Sequence, residues 1–145
     1  MANTDSQQNE QVLARHVTAE NAHRLEETLA TLDPECVFED LALRRRFHGR
    51  DGAAEYYRIW WDAFQVEVEG VARHWTTEGR FIGEAMYVGR HTGDFFGLPP
   101  TGRPIELRFT VFVDFRNGLM SGERFYYDLS TLLGQLGATR LPALG

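Results

Sequence analysis

Residues 105–128 read IELRFTVFVDFRNGLMSGERFYYD, two β-rich runs joined by Asn117-Gly118. Asn-Gly is the strongest short signal for a two-residue type I′ turn, because both turn positions need a positive φ. A turn of two residues also sets the strand register, so Phe115 should lie opposite Met120. The sequence therefore predicts a tight antiparallel hairpin here.

This register divides the side chains of the hairpin between two faces, because side chains alternate along a strand. One face is almost wholly apolar and comprises Leu107, Phe109, Val111, Val113, Phe115, Met120, Gly122, Arg124, Tyr126 and Asp128. Burial on such a face raises the pKa of a carboxylate, which suits a general acid or base. Asp128 can equally pair with Arg124, or cap the last helix through Ser130 and Thr131. A β-bulge would change the register and the faces with it.

The chain before the hairpin has the periodicity of helices. Leu25, Leu29 and Leu32 recur at i, i+4 and i+7, which predicts a helix from about residue 9 to 32. The polar residues 1–8 are expected to form a flexible arm. A second helix is predicted over residues 52–64 and carries an aromatic stripe composed of Tyr56, Tyr57, Trp60, Trp61 and Phe64.

The rest of the chain has the composition of strands and turns. We predict strands over 37–43, 66–76, 81–92, 105–116 and 119–127, a loop over 97–104 and a final helix over 130–136. Helices grouped before an antiparallel meander indicate the α+β class. With no repeat and no linker, residues 1–145 are expected to form one domain.

Composition excludes several classes of function. The net charge of −6 disfavours nucleic acid and anionic membranes as partners. No apolar run approaches the ~18 residues of a membrane helix, and we expect a cytoplasmic protein. None of the 15 basic residues is lysine, which excludes Schiff-base chemistry. The single cysteine, Cys36, can form no disulfide within the chain.

Three segments together resemble one known family. Residues 89–102, GRHTGDFFGLPPTG, resemble the GTHTG…GLPPTGR segment of the SnoaL-like polyketide cyclases. Residues 117–120 look like the DGKI turn of that family, and residues 128–137 look like its D…LLRQLG ending. In this order and spacing, the motifs indicate the family from about residue 9 to the end, within the nuclear transport factor 2-like superfamily.

The resemblance implies a fold and a chemistry. The fold would be a cone-shaped α+β barrel, in which N-terminal helices close a strongly bent antiparallel sheet, often dimeric through the sheet. In these cyclases, an aspartate at the position of Asp128 is the acid/base of an intramolecular aldol closure that uses no metal or cofactor. We accordingly expect a homodimer, a small hydrophobic ligand, no cofactor and no metal.

The chain departs from the family pattern at two charged positions. The family commonly has tryptophan where this chain has Arg124, and arginine where it has Asp114. A polyketide substrate is therefore not carried over to this chain. If Asp128 is an acid/base, Arg124 could tune its pKa or stabilise a developing oxyanion. Arg124 is therefore a third catalytic candidate beside Asp128 and His91.

The remaining candidates each have a functional and a structural interpretation. His91 matches the family histidine and could donate to a substrate carbonyl or shuttle a proton, or simply bond a backbone carbonyl. Tyr126 and Phe109 would contact substrate from the hairpin. Tyr57 and Trp61 would form a wall of the pocket, although an aromatic helix face is more often part of the core.

Three functional hypotheses follow. The first is an enzyme that cyclises, isomerises or dehydrates a small hydrophobic carbonyl or polycyclic compound through an enolate. The second is a non-catalytic dimer that binds a hydrophobic ligand, with Asp128 ion-paired to Arg124. The third is an epoxide hydrolase-like enzyme, which needs a second pocket carboxylate; Asp114 is the candidate, although the predicted register puts it on the opposite face.

Overall fold

In the computed structural model, which describes residues 2–144, four helices and six strands make up the regular structure. The helices are α1 (Ala2–Asn21), α2 (Leu25–Leu29), α3 (Gly49–Phe64) and α4 (Leu129–Leu136). The strands are β1 (Leu32–Asp40), β2 (Arg45–His48), β3 (Glu67–Trp75), β4 (Phe81–Arg90), β5 (Pro104–Arg116) and β6 (Leu119–Tyr127).

The six strands form one curved sheet in the order β2-β1-β6-β5-β4-β3. All neighbouring strands are antiparallel except β1 and β6, which are parallel. Helix α1 contacts β3 and β6, and α3 packs on β1 and β2. The predicted α+β class and superfamily fold are confirmed, although the sheet keeps two free edges and does not close into a barrel.

The N-terminal helix differs from the prediction at both ends. It already begins at Ala2, so residues 2–8 are helical where a flexible arm was predicted, and Met1 lies outside the described residues. It ends at Asn21, whose side chain accepts a hydrogen bond from the Val68 amide (2.8 Å) and donates one to the Val68 carbonyl (3.1 Å). His23 then adopts a positive φ of 54°, which breaks the predicted long helix.

The strand predictions for β3 to β6 hold to within two residues, as does that for α4. No strand was predicted for the residues of β2. In the structure, Arg45 and Arg46 lie on this short edge strand opposite Asp40 and Glu39. The first strand also starts earlier than predicted, at Leu32.

The central hairpin has the predicted turn, with positive φ at Asn117 and Gly118. Phe115 lies opposite Met120 as expected, but Asp114 then lies opposite Gly122. Ser121 is therefore an extra residue in β6, a β-bulge.

The bulge makes the predicted faces of β6 wrong beyond Ser121. Val113, Val111 and Phe109 lie opposite Glu123, Phe125 and Tyr127, respectively. Beyond the bulge, Glu123 and Phe125 therefore turn to the inner face, and Arg124 and Tyr126 turn to the outer face.

The aromatic stripe of α3 is core. Tyr56, Tyr57, Trp60, Trp61 and Phe64 are each at most 8% exposed. This burial favours the structural interpretation of the stripe.

A fully buried carboxylate joins three elements beside that stripe. Asp40 at the end of β1 accepts hydrogen bonds from the hydroxyls of Tyr56 (2.7 Å) and Tyr127 (2.9 Å), and from the Leu43 amide (2.8 Å). Burial raises the pKa of Asp40, while these three donors act in the opposite direction. Because a buried carboxylate with several donors is well satisfied, we interpret this cluster as structural.

Candidate active site

A cavity of about 520 Å³ lies between helix α1 and the inner face of β3 to β6. Its walls include four aromatic side chains, those of Phe81, Tyr87, Phe109 and Phe125. Its carboxylate, imidazole and guanidinium side chains are those of Glu10, His16, Glu20, Arg73, Glu84 and Glu123. A largely apolar cavity with a few convergent polar groups is the usual form of a small-molecule site.

Glu123 is the buried carboxylate of this cavity, with 5% of its surface exposed. The bulge at Ser121 turns it inward from β6, opposite Val113. Burial raises the pKa of Glu123 to about 7, although the charge of His16 acts to lower it. A carboxyl group that titrates near neutral pH can take up and release a proton under physiological conditions.

His16 on α1 is held in one orientation by a hydrogen-bond chain. The Thr31 hydroxyl donates to the Thr28 carbonyl oxygen (2.6 Å), and its oxygen lies 2.7 Å from His16 Nδ1. Since the hydroxyl proton is used on Thr28, Thr31 must accept from His16. Nδ1 therefore carries a hydrogen, and Nε2 is the nitrogen free to gain or lose a proton.

His16 Nε2 lies beside three oxygen atoms: Tyr57 Oη at 2.9 Å, Glu123 Oε1 at 3.4 Å and Glu20 Oε1 at 3.5 Å. Burial lowers the pKa of His16. The hydrogen bond to Glu20 and the charges of both carboxylates raise it by a larger amount, so the net shift is upward. Both His16 and Glu123 therefore have raised pKa values and hold their protons to a higher pH than the free side chains do.

The rim of the cavity joins α1 to the edge strand β3. Glu10 accepts hydrogen bonds from the Arg73 guanidinium (2.8 Å) and from Trp75 Nε1 (2.8 Å). Glu84 is bound by His74 at 2.9 Å. The guanidinium at the rim is thus already paired with a carboxylate.

Asp128 lies outside this cavity and is exposed. It is the N-cap of α4 and accepts hydrogen bonds from the Ser130 amide (2.9 Å) and the Thr131 hydroxyl (3.0 Å). Its predicted position on an apolar inner face is wrong, because the bulge removes it from that face. The structural alternative considered from the sequence, a helix cap, is the arrangement observed.

Arg124 and Tyr126 lie on the outer face of the sheet, for the same reason. The Arg124 guanidinium lies 5.0 Å from the centre of the Phe112 ring, and Tyr126, 40% exposed, packs against the edge of the same ring. Asp114 forms an ion pair with Arg80 (2.7 Å). These three candidates are therefore separated from the cavity by the sheet.

His91 is buried at the end of β4, away from the cavity. Its Nδ1 accepts a hydrogen bond from the Thr101 amide (3.1 Å), and its backbone bonds Arg103 and Gly102. Burial lowers the pKa of His91. These bonds attach the loop after β4 to the start of β5. His91, the histidine that matches the family motif, therefore has a structural role here.

The remaining candidates divide between the cavity and the core behind it. Phe109 lines the cavity. The Tyr57 hydroxyl reaches His16 and Glu123 from α3, whereas Trp61 stacks on Tyr57 and His23 behind them. Sequence reasoning missed His16 and Glu123, because a regular register turned Glu123 outward.

Two further properties concern the described part of the chain. Between residues 2 and 144, no helix is both long and apolar enough to cross a membrane. Over the same residues, no three or more His, Cys, Asp or Glu side chains are grouped so that they could hold a metal ion.

Comparison with known proteins identifies the family of this fold. The family model described as SnoaL-like polyketide cyclase matches residues 10–136. No curated protein matches the chain.

Solved structures with the same fold share little sequence with the chain. A proposed polyketide cyclase from Xanthomonas campestris pv. campestris is 22% identical, with a TM-score of 0.81 over 91% of this chain and 98% of that one. A proposed SnoaL-like polyketide cyclase from Jannaschia sp. CCS1 is 19% identical, with a TM-score of 0.80 over 92% and 94%. A hypothetical protein with a ketosteroid isomerase-like fold from Catenulispora acidiphila DSM 44928, in complex with trimethylamine, is 16% identical, with a TM-score of 0.74 over 88% and 93%. At these identities, the likeness establishes the fold alone.

Proposed function

The chain belongs to the SnoaL-like polyketide cyclase family, and on that premise we propose that it is a cofactor-independent acid/base enzyme whose proton-transfer group is Glu123. The family supports a cyclase or isomerase type of role. The observation that carries the proposal is a buried carboxyl group with a pKa of about 7, facing an apolar cavity beside His16. In this proposal, Glu123 rather than Asp128 is the acid/base.

The chemistry needs only proton transfer. The Glu123 carboxylate removes a proton from a carbon next to a carbonyl group, which leaves an enolate and a neutral carboxyl group. Returning the proton to another carbon shifts a double bond. Alternatively, the enolate attacks a second carbonyl of the same molecule and closes a ring, and Glu123 protonates the new alkoxide.

His16 and Tyr57 support this transfer in the proposal. The protonated imidazole stabilises negative charge on Glu123 before the transfer and on the enolate after it. The Tyr57 hydroxyl accepts a hydrogen bond from the protonated Nε2 of His16 (2.9 Å) and donates one to the Glu123 carboxylate (3.5 Å). The positions of both side chains are set by buried helix faces, which reduces the reorganisation needed during reaction.

The two alternative functions have less support. The ligand-binding hypothesis required an ion pair between Asp128 and Arg124, whereas Arg124 lies over Phe112 and Asp128 caps α4. The epoxide hydrolase hypothesis needed a second pocket carboxylate, and its candidate, Asp114, is instead paired with Arg80 at the sheet surface.

Hydrogen exchange at an acidic C–H bond tests the proposal. β-Tetralone is a compact bicyclic ketone, and loss of its α-hydrogen signal in heavy water can be followed by proton NMR. We expect the wild type to accelerate this exchange above the buffer rate. Glu123→Gln keeps the size of the side chain but cannot accept a proton, and should lower the enzyme-dependent rate by about 100-fold or more.

Asp128→Asn is the matched control, because it makes the same chemical change at the exposed cap. Its exchange rate should stay within about twofold of the wild type, since asparagine also caps helices well. The proposal fails if the wild type gives no acceleration, or if Asp128→Asn abolishes the exchange while Glu123→Gln retains it.

A further inference from the structure

The charged side chains that line the cavity are mostly acidic. Over residues 5–144, its lining includes four carboxylates, one guanidinium and one imidazole. Arg73 is bound to Glu10 at the rim, and Glu84 is bound to His74. Glu20 and Glu123 therefore share a single basic group, His16, in the interior.

Protein donors are also too few for these two carboxylates. Each carboxylate can accept several hydrogen bonds. Within the described residues, Glu20 has only His16 within ion-pair distance, at 3.5 Å, and Glu123 has His16 and a long contact of 3.5 Å to Tyr57. Both side chains are largely buried, 13% and 6% exposed, and both line the cavity. Carboxylate oxygens that face the cavity with unfilled acceptor capacity favour a ligand that brings hydrogen-bond donors.

We propose that the cavity selects apolar substrates that carry a basic nitrogen, bound as an ammonium group by Glu20, and rejects substrates that carry a carboxylate or phosphate. This inference rests on the proposed function, for which it names a substrate class. The ammonium supplies hydrogen-bond donors and places a positive charge beside the Glu20 carboxylate. With Glu20 occupied in this way, Glu123 remains the group that moves the proton.

The walls of the cavity suit the same ligand. Tyr87 and Phe109 stack with their ring centres 4.1 Å apart, and both line the cavity. Aromatic rings attract cations through their faces, and they also pack against the apolar part of the ligand. An anionic group would meet two buried carboxylates, with the rim guanidinium already neutralised by Glu10.

Three probes with one carbon skeleton test the preference: naphthylethylamine, naphthylethanol and naphthylacetate. Their affinities for the wild type are measured by isothermal titration calorimetry at neutral pH. We expect the amine to bind at least about tenfold more tightly than the alcohol, and the carboxylate at least about tenfold more weakly than the alcohol. Equal affinities, tighter binding of the carboxylate, or binding of none of the three would overturn the proposal.

Two variants separate a site effect from the overall charge of the protein. Glu20→Gln should remove the advantage of the amine and leave the alcohol within about twofold of its wild-type affinity, which also shows that the variant is folded. Glu27→Gln makes the same change in net charge at an exposed position, 63% exposed, and should leave all three affinities unchanged. An amine preference that survives Glu20→Gln, or is lost in Glu27→Gln, would contradict the assignment.

These binding measurements can fail independently of the proposed function. Loss of the amine preference with normal tetralone exchange would overturn the substrate class alone. Amine preference with no exchange in the wild type would overturn the acid/base function, and the cavity would then be a binding site for amines.

Discussion

Glu123 owes its unusual environment to one neighbouring residue. The extra Ser121 in β6 shifts the strand by one position, which brings Glu123 from the solvent side of the sheet to the cavity. The cost of burying the charged form raises the pKa of Glu123 to about 7, and His16 limits the rise. The chemistry proposed for the site thus depends on a backbone irregularity.

The Thr31 hydroxyl positions the imidazole of His16. Replacing Thr31 should therefore alter activity, although Thr31 does not line the cavity. Thr31→Val keeps the shape but removes the acceptor for His16 Nδ1, which lies 2.7 Å away. We expect β-tetralone exchange to fall at least about tenfold and its pH profile to shift. Thr31→Ser restores the hydroxyl and should restore both. An unchanged pH profile in Thr31→Val would contradict this role.

Glu123 should also make stability depend on pH in a defined direction. Its pKa rises from 4.5 to about 7 on folding, so the folded state binds this proton more tightly. The stabilisation is fully present below pH 4.5 and is lost as the pH rises through 7. Relative to Glu123→Gln, the wild type should lose roughly 2–3 kcal/mol of unfolding free energy across this interval.

Urea unfolding of both proteins at several pH values measures that difference. His16 contributes a loss in the same direction at higher pH, because its pKa is also raised from 6.5. Parallel stability curves for the two proteins between pH 4.5 and 7 would show that Glu123 does not titrate abnormally.

At the scale of elements, the last helix depends on its first residue. Asp128 caps α4 through the Ser130 amide and the Thr131 hydroxyl, and Leu132, Leu133 and Leu136 bury the helix against the core. Asp128→Ala should lower the unfolding free energy by about 1 kcal/mol. The β-tetralone exchange of the folded variant should be normal. If Asp128→Ala lost exchange but kept the stability of the wild type, Asp128 rather than Glu123 would be the catalytic residue.

The elements themselves could largely be predicted from the sequence. Periodicity and turn residues located α3, α4 and the strands β3 to β6, because local propensity and tertiary packing agree there. The break in the first helix could not be predicted from its leucines, because it depends on distant bonds such as Asn21 to Val68.

The candidate site could be predicted only in part, because the position of Glu123 depends on a bulge. Asn117-Gly118 specified the turn and the first pairs of the hairpin correctly. No local signal marked Ser121 as an extra residue, so every side chain beyond it was assigned to the opposite face. The pair His16 and Glu20, four residues apart, is a signal that could have pointed to α1. The family motif at Asp128 did not reveal the change, since that aspartate is retained as a cap.

For the whole molecule, the outer face of the sheet is the surface proposed for a homodimer. Tyr126 and Phe112 form an aromatic patch there, next to Arg124. We expect a dimer by light scattering, and Tyr126→Arg should shift it towards monomer, since it places a second cation beside Arg124 and its symmetry mate. A wild-type monomer at micromolar concentration would contradict this proposal.

The central claim, that Glu123 is the base, is tested most directly by the pH dependence of β-tetralone exchange. Only the ionised carboxylate accepts a proton, so kcat/KM of the wild type should rise about tenfold per pH unit below pH 7 and level off above it. Glu123→Gln should give a flat profile at a rate about 100-fold lower. A wild-type profile that is already level from pH 5 upward, or one that is the same in Glu123→Gln, would contradict the account.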